Sequence, residues 1–391
     1  MTFDEIKALD SANIMPTYGR FEVAIVSGHG AVAADETGKE YIDFGSGIGV
    51  NTLGYCDAGW VDAVSKQAAT LQHTSNLYYS PVQAELAAKL TSLTGLSRVF
   101  FANSGAEANE CAIKLARKYS FDKYGNNRSD ILTLQNSFHG RTITTISATG
   151  QEEFHKFFHP FTGGFRHVPA NDFAALESAA DSRVCALILE TVQGEGGVSP
   201  LEAEYIKRAA ALCEEKDILL IVDEVQTGIA RTGRLFSIAH FDVIPDVITS
   251  AKGLAGGLPI GACLCGQRLA GVLGAGTHGS TFGGNPIAAA AAKYVLSTVS
   301  KSEFLAEVTK KGEYIKNKLL TIKGVDAVWG LGLMIGADTH KPARELAAGC
   351  IKRGAIFLTA KTALRLLPPL NITYGEIDKG MEILEKELNT I

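Results

Sequence analysis

Lys252 leaves an apolar run and enters a glycine-rich segment in the sequence VITSAKGLAGGLPIGA. A lysine at the end of a core strand is desolvated, and desolvation lowers its pKa from the usual value of about 10.4. A neutral amine is a competent nucleophile towards an aldehyde. The glycines allow the backbone to approach a flat ring closely. Most lysines are solvated surface groups, so Lys252 alone does not fix the chemistry.

Two acids, Asp223 and Glu224, end the apolar run ILLIV that precedes Lys252 in the chain. A carboxylate buried at a strand end is unfavourable unless a cation or strong hydrogen-bond donors meet it. A protonated pyridine nitrogen would be such a partner for Asp223. Alternatively, Asp223 caps the next helix or pairs with an arginine, and the residues alone leave these alternatives open.

The run VFFAN leads into Ser104-Gly105-Ala106-Glu107, where the sequence predicts the start of a helix. Ser104 is a suitable N-cap and Glu107 stands at the third helical position, so the spacing predicts a capping box. The free N–H groups of Gly105 and Ala106, with the helix dipole behind them, would bind an anion. The alternative is an ordinary capped helix. A phosphate cradle, a carboxylate and an amine on separate strand ends together describe a pyridoxal-phosphate site.

These residues follow apolar runs that alternate with helical segments from about residue 60 onwards. The runs VFFAN, ILTLQN, VCALILE, ILLIVDE and VITSAK are apolar along their length, as in strands covered by helices on both faces. The pattern predicts an α/β fold with a mostly parallel central sheet. Ligands on such sheets bind beyond the carboxyl ends of the strands. Asn103, Asn136 and Glu190 also end such runs and are expected near the site.

The chain is predicted to form a large and a small domain. Residues 1–58 include a hairpin in VAADETGKEYIDF and are expected to form the N-terminal segment of the small domain. Residues 59–295 are expected to form the large cofactor-binding domain. Residues 296–391, with further short strands and helices, are expected to complete the small domain as an αβ unit.

The bulk composition is typical of a globular protein whose partners are small molecules. Its 391 residues are 46% hydrophobic and 20% charged, and a formal net charge of -5 gives no electrostatic reason to expect nucleic acid or a membrane. Its seven cysteines lack the paired spacing of a disulfide framework or a zinc site, so we expect no metal and a cytoplasmic location. The N-terminal residues lack the apolar run of a signal peptide.

Several motifs resemble those of the class III pyridoxal-phosphate aminotransferases: NSGAEANE, FHGRT, GEGGV, VDEVQTGIARTG, SAKGLAGGLPIGA and HGSTFGGNP. The resemblance covers nearly the whole chain. It implies the fold type I of pyridoxal-phosphate-dependent transferases and a ping-pong transfer of an amino group. Within the family, NIMPTYGR and HTSNLYY are most similar to members that use N-acetylornithine and 2-oxoglutarate in arginine biosynthesis.

The resemblance also implies which residues bind the cofactor. Lys252 would bind its aldehyde covalently and later move a proton, and Asp223 would keep its pyridine nitrogen protonated. Phe138 and Val225 would lie on the two faces of the ring, and Gln226 would contact its hydroxyl.

By the same resemblance, the phosphate would be bound by the helix start, namely Ser104, Gly105 and Ala106. Thr281 of HGSTFGGNP would reach the phosphate of the neighbouring subunit. This role implies a homodimer with shared active sites.

Two arginines would bind substrate carboxylates, because a planar guanidinium meets a carboxylate with two parallel hydrogen bonds. The resemblance assigns Arg365 to the α-carboxylate of 2-oxoglutarate or glutamate and Arg141 to that of N-acetylornithine. Glu195 would neutralise Arg365 when no substrate carboxylate is there. Tyr18 and Ser280 are candidates for the substrate wall, with core or surface packing as the alternative.

Other functions on the same scaffold stay open at this point. The donor could be ornithine, succinylornithine, N-succinyl-diaminopimelate or 4-aminobutyrate, or the enzyme could be an aminomutase. A fold relic that only binds a partner protein would need no lysine-bound cofactor. His139 has no metal-ligand spacing around it and is predicted to be structural.

Overall fold

The computed structural model describes residues 1–390, in which helices and strands alternate along most of the chain. The α-helices are α1 (Phe3–Asn13), α2 (Ser46–Gly49), α3 (Ala58–Thr70), α4 (Pro81–Thr94), α5 (Gly105–Tyr124), α6 (Ile143–Ala148), α7 (Phe173–Ala179), α8 (Ala203–Glu215), α9 (Pro286–Val299), α10 (Ser302–Thr321), α11 (Ala343–Arg353) and α12 (Tyr374–Leu388). The strands are β1 (Ile25–His29), β2 (Val32–Asp35), β3 (Glu40–Asp43), β4 (Arg98–Ala102), β5 (Asp130–Leu134), β6 (Phe165–Val168), β7 (Val184–Leu189), β8 (Val192–Gln193), β9 (Ser199–Pro200), β10 (Leu219–Asp223), β11 (Val247–Ser250), β12 (Gly261–Cys265), β13 (Val325–Leu331), β14 (Met334–Thr339), β15 (Ala355–Ile356), β16 (Leu358–Ala360) and β17 (Ala363–Leu366).

The central sheet has seven strands in the order β4-β12-β11-β10-β7-β5-β6. The pairs formed by β11, β10, β7, β5 and β6 are parallel, whereas β12 is antiparallel to both β11 and β4. Every residue of β7, β10 and β11 is buried, as expected for strands that are covered by helices on both faces. The predicted α/β fold with a mostly parallel sheet is confirmed.

The reversed strand β12 was not predicted. Its sequence, GACLC, lacks β-branched and aromatic residues, so its local propensity gives little sign of a strand. All five of its residues are buried between β11 and β4. The backbones are close here, since a Cβ added at Gly261 would lie 2.2 Å from the carbonyl oxygen of Ser104. The strand conformation of β12 is therefore stabilised by packing between its two neighbours and not by local sequence propensity.

One of the three smaller sheets brings the two ends of the chain together. It contains β1, β2, β3 and β15, with Ala355 paired in parallel with Ile42. The other two contain β13, β14, β17 and β16, and the short pair β8 and β9. The predicted hairpin is confirmed, since Val32 of β2 pairs with Ile42 of β3 in antiparallel register. The domain boundaries at residues 58 and 295 stay a prediction.

Helix α5 begins at the predicted position, but its cap differs from the prediction. Ser104 is the N-cap and its Oγ accepts a hydrogen bond from the N–H of Glu107 (3.2 Å). The Glu107 carboxylate accepts instead from the N–H of Asn103 (2.7 Å), one residue before the cap. The predicted capping box is therefore wrong in its second half, because the carboxylate reaches past the cap to the end of β4.

Within residues 1–390, no helix combines the length and the apolar character needed to cross a membrane. The same residues contain no group of three His, Cys, Asp or Glu side chains arranged to hold a metal ion.

Candidate active site

A cavity of about 420 Å³ lies at the carboxyl ends of β4, β10 and β11. Many of the predicted site residues line it, although they come from distant parts of the chain. They are Ser104, Gly105, Ala106, Phe138, Arg141, Glu195, Asp223, Val225, Gln226 and Lys252.

Lys252 follows β11 directly and has a left-handed backbone (φ 43°). A non-glycine residue in this region is strained, and the surrounding structure must hold it there. Burial lowers the pKa of its ammonium below the usual range, although the charges of Glu195 and Asp223 oppose this shift. The lowered pKa is what a nucleophilic amine requires.

Asp223 is 3% exposed and is held by three hydrogen bonds. Its Oδ2 accepts from Nδ2 of Asn109 (2.8 Å) and from Nδ1 of His139 (2.8 Å), and its Oδ1 accepts from the N–H of Val225 (3.0 Å). Asn109 is itself fixed, because its Oδ1 accepts from Thr249 Oγ1 (2.7 Å). Asp223 therefore neither caps a helix nor pairs with an arginine, which were the two alternatives that the sequence left open.

His139 is the buried partner of Asp223. Burial disfavours its charged form, but the hydrogen bond and charge of Asp223 outweigh burial and raise the His139 pKa. Its Nε2 is buried, with no hydrogen-bond partner among residues 1–390. The expectation that His139 is merely structural missed this contact. Asn109 was missed entirely, although it lies four residues after Gly105 and therefore on the same face of α5.

Glu224 faces away from this cavity, because successive residues at a strand end point to opposite faces. Its carboxylate accepts hydrogen bonds from Thr227 Oγ1 and from the N–H of Ile238 (2.7 Å). Burial raises the pKa of Glu224 to about 7. Of the two acids that end β10, only Asp223 belongs to the site.

Glu190 lies beside Asp223 in the cavity and connects two backbone segments. Its carboxylate accepts from the N–H of Phe138 (2.9 Å) and from that of Gly194 (3.3 Å). Burial raises its pKa to about 7, although the charge of His139 opposes the shift. The strand end therefore positions the aromatic ring of Phe138 and the segment that carries Glu195.

The cradle at the start of α5 leaves room only for glycine at its first helical position. A Cβ added at Gly105 would lie 2.7 Å from Cγ1 of Val225. Gly105 thus allows the helix start and the Val225 side chain to approach each other. The free N–H groups of the first turn of α5 therefore lie next to the Val225 side chain, which is expected to cover one face of the cofactor ring.

Arg365, on β17, is 3% exposed and forms an ion pair with Glu195. Its Nη1 donates to Glu195 Oε1 (2.7 Å), which also accepts from Nε2 of Gln226 (3.2 Å). Burial alone would raise the pKa of Glu195, but the charge and hydrogen bond of Arg365 lower it overall. Glu195 is therefore a carboxylate that covers the buried guanidinium.

Arg141 lies on the open side of the cavity. Its guanidinium carbon is 4.1 Å from the centre of the Phe154 ring and 5.5 Å from that of Phe138. Stacking on aromatic faces orients the guanidinium plane without using its hydrogen-bond donors. The donors stay available for a carboxylate.

Four predicted residues lie outside the lining of this cavity: Arg365, which is buried behind Glu195, and Ser280, Thr281 and Tyr18. Ser280 Oγ accepts from Asn103 Nδ2 (3.2 Å), so it contacts a lining residue without reaching the cavity itself. Thr281 is exposed in the adjacent loop, and Tyr18 is 74% exposed on the N-terminal segment. Their proposed roles stay predictions.

The family model described as "Aminotransferase class-III" matches residues 14–388. The chain belongs to the class III aminotransferases. It is 52% identical to an acetylornithine aminotransferase of Haemophilus ducreyi over 392 residues, covering 100% of each chain.

Solved structures of two aminotransferases are similar to this chain. An ornithine aminotransferase from Toxoplasma gondii, described with partial occupancy of pyridoxal phosphate at its active site, has a TM-score of 0.94 and 32% identity, covering 99% of this chain and 94% of that one. An N-acetylornithine aminotransferase from Stenotrophomonas maltophilia has a TM-score of 0.84 and 36% identity, covering 97% of both chains.

This class III aminotransferase uses pyridoxal phosphate, and its cavity fits that group. The start of α5 provides N–H donors for a phosphate, and Asp223 is a buried carboxylate that can face a protonated ring nitrogen. Lys252, after the carboxyl end of the neighbouring strand β11, offers an amine of lowered pKa. When bound, the cofactor withdraws electrons from the substrate carbon that carries the amino group.

We expect Gly105→Ala to weaken binding of pyridoxal phosphate. The new Cβ would press on Val225, and overpacking of this kind costs about 1–3 kcal/mol, which corresponds to a loss of about fivefold to about 150-fold in affinity. Titration of the cofactor-free protein with pyridoxal phosphate, followed by fluorescence, measures the effect. Gly163→Ala is the matched control, because a Cβ there meets nothing within 4 Å. Equal affinities for the two variants would contradict the cradle.

We expect Glu224→Gln to change how stability depends on pH. The pKa of Glu224 in the native state, about 7, lies above the usual 4.5, so its stabilising contribution is complete below 4.5 and is lost as the pH rises through 7. The unfolding free energy of the wild type minus that of the variant should therefore fall over this window, by about 3 kcal/mol. Urea unfolding at several pH values measures it.

The control for this experiment is Glu382→Gln on the exposed side of α12, which removes one carboxylate at the surface. A pH-independent difference for Glu224→Gln would show that Glu224 is ionised in the native protein throughout.

Proposed function

We propose that this enzyme is an acetylornithine:2-oxoglutarate aminotransferase, which forms N-acetylglutamate 5-semialdehyde and glutamate in arginine biosynthesis. The observation that carries the proposal is the pair of arginines around one cavity. Arg365 is covered by Glu195, whereas Arg141 has its donors free at the open side.

The two substrates differ in the number of carboxylates that they bring. 2-Oxoglutarate has two, so it requires both arginines, whereas N-acetylornithine has one carboxylate at the end far from its reacting amine. With the donor bound, Arg141 binds that carboxylate and Glu195 keeps Arg365 neutralised. With 2-oxoglutarate bound, its α-carboxylate replaces Glu195 on Arg365. One cavity then accepts two differently charged substrates.

The names of the similar proteins support N-acetylornithine as the donor. The relatives from Haemophilus ducreyi and Caldanaerobacter subterraneus, 52% and 47% identical, are both called acetylornithine aminotransferase. An acetyl group needs only amide contacts and an apolar wall, whereas the second ammonium of free ornithine needs a polar partner.

In this proposal the residues of the cavity bind and orient the cofactor and move one proton. Lys252 Nζ binds the cofactor aldehyde and carries the proton that leaves the substrate carbon. Asp223, supported by His139 and Asn109, holds a proton on the ring nitrogen.

Side chains from two loops would enclose the ring. Phe138 and Val225 would cover its faces and Gln226 would contact its hydroxyl, while Ser104, Gly105 and Ala106 would bind the phosphate.

The proposal includes a homodimer, with Thr281 completing the phosphate site of the partner subunit. An apolar surface supports it: Leu77 is 87% exposed, Tyr79 fully exposed and Phe282 60% exposed. Asn76 Nδ2 donates to the carbonyls of Ser280 and Gly283 (3.0 Å each), so the two loops form one surface next to Thr281. Contiguous exposed apolar surface of this kind is typical of protein interfaces.

We also assign the enzyme to the cytoplasm. All seven cysteines are free thiols and six of them are buried, as expected for a reducing compartment.

The half-reactions provide the direct test of donor and acceptor. We expect the visible absorbance of the purified enzyme to shift when N-acetylornithine is added and to return when 2-oxoglutarate follows, because the cofactor alternates between aldehyde and amine forms. Lys252→Ala should abolish turnover and the lysine-dependent absorbance band. Stopped-flow absorbance with each substrate alone measures both steps.

Other outcomes of this experiment would support the alternative functions. A faster absorbance change with ornithine, succinylornithine, N-succinyl-diaminopimelate or 4-aminobutyrate would show that this compound, and not N-acetylornithine, is the preferred donor. Turnover without any 2-oxoacid would indicate an aminomutase, and a protein with no lysine-dependent band would be a binding relic.

The interface is tested by placing a charge on it. Leu77→Asp is expected to shift the protein from dimer to monomer and to weaken cofactor binding, since a buried carboxylate without a partner destabilises an interface. Ile244→Asp is the control, because Ile244 is similarly exposed (85%) but lies beside β11, far along the chain from both loops. Sedimentation equilibrium measures the mass, and a wild-type monomer would refute the dimer.

A further inference from the structure

We propose that Lys361 is a positioning residue that receives the Glu195 carboxylate when a substrate carboxylate occupies Arg365. The inference rests on the proposed function, in which Glu195 must leave Arg365 during every catalytic cycle. It adds the group that stabilises Glu195 after it has left.

Glu195 stands between two spaces. It lines the catalytic cavity, and it also lines a separate groove of about 690 Å³ on the other side. Its side chain is 28% exposed, whereas that of Arg365 is 4% exposed. The carboxylate can therefore rotate towards the groove, but the buried guanidinium cannot follow it.

Lys361 lines the same groove and is exposed. It lies in the turn between β16 and β17, the strand that carries Arg365. Its Nζ donates to the side-chain oxygen of Asn136, and both residues have a left-handed backbone (φ 53° for Lys361 and 65° for Asn136). The hydrogen bond to Asn136 orients the ammonium towards the segment that precedes the cavity loop of Phe138.

Asn136 also touches the segment of Glu195. A Cβ added at Gly196, the next residue, would lie 2.5 Å from the carbonyl oxygen of Asn136. Gln193 Nε2 donates to the carbonyl oxygen of Gln135 (2.8 Å), which fixes the same two segments to each other. The Lys361 ammonium and the residue after Glu195 therefore both contact Asn136.

The negative charges that line the groove would oppose the entry of the Glu195 carboxylate unless a cation is also present there. Glu152 and Glu153 also line it, and a third carboxylate rotating in would be repelled by them. The two histidines of the groove are committed elsewhere: His155 Nε2 contacts the carbonyl oxygen of Ile146 (2.8 Å), and burial lowers the pKa of His167 to about 4. Lys361 is the lysine of the lining, and no arginine is part of it.

The inference predicts that loss of the Lys361 ammonium weakens the binding of dicarboxylates but not the binding of N-acetylornithine. The holoenzyme variant Lys361→Met should bind glutarate, a non-reacting dicarboxylate, about fivefold more weakly, as expected for loss of a solvent-exposed ion pair. The KM for 2-oxoglutarate should rise by a similar factor, whereas the half-reaction with N-acetylornithine should not change, because the donor leaves Glu195 on Arg365. Calorimetry measures glutarate binding directly. Lys361→Arg should restore the wild-type affinity.

A double-variant cycle with Glu195→Gln separates this role from simple attraction of anions. If Lys361 acts by receiving Glu195, Lys361→Met has no further effect on glutarate binding once Glu195 is neutral. If the loss persists in the Glu195→Gln background, Lys361 attracts the ligand itself and the inference is overturned. Lys156→Met removes an exposed lysine one residue beyond His155 and controls for overall charge.

The cycle also distinguishes failure of this inference from failure of the proposed function. If Glu195→Gln alone leaves glutarate affinity unchanged, Glu195 does not compete for Arg365, and the proposed exchange of carboxylates is wrong. If Glu195→Gln changes the affinity but Lys361→Met does not, only the role of Lys361 is wrong.

Discussion

The hydrogen bonds around Asp223 are the constraint on which the rest of the site depends. A carboxylate at 3% exposure is stable only when its oxygens are satisfied, and Asn109, His139 and the N–H of Val225 satisfy them from three different segments. Each donor comes from a part of the chain that also contributes to the cavity wall. The acid therefore fixes α5, the loop of Phe138 and the end of β10 relative to one another.

The second constraint is the covered guanidinium of Arg365. A buried arginine without a counter-charge would be costly, and Glu195 at 2.7 Å provides that charge. The Glu195 side chain is partly exposed, whereas that of Arg365 is buried. In the proposed function this pair opens when 2-oxoglutarate binds, so the cavity would alternate between two charge states, which suits two substrates that differ by one carboxylate.

The sequence predicts much of this arrangement because uniformly apolar strands end in isolated polar residues. Asp223, Lys252 and the helix start at Ser104 were recognisable in this way. The network around Asp223 was not, because Asn109 and His139 meet it only through contacts between distant segments. Strand β12 was missed because its sequence lacks the β-branched and aromatic residues typical of strands. Glu224 resembled Asp223 until the strand geometry separated their faces.

The direction of β12 has a consequence for the size of molecule that the cavity accepts. The chain leaves Lys252, turns, and enters β12 at Gly261, which lies directly against Ser104. β12 lies between β11 and β4 in the sheet, so the width of one strand separates the strand end that carries Lys252 from the strand end that leads into the anion cradle. Because this hydrogen-bonded spacing is fixed, an aldehyde whose phosphate is held by a longer or shorter arm would reach only one of its two attachment points at a time.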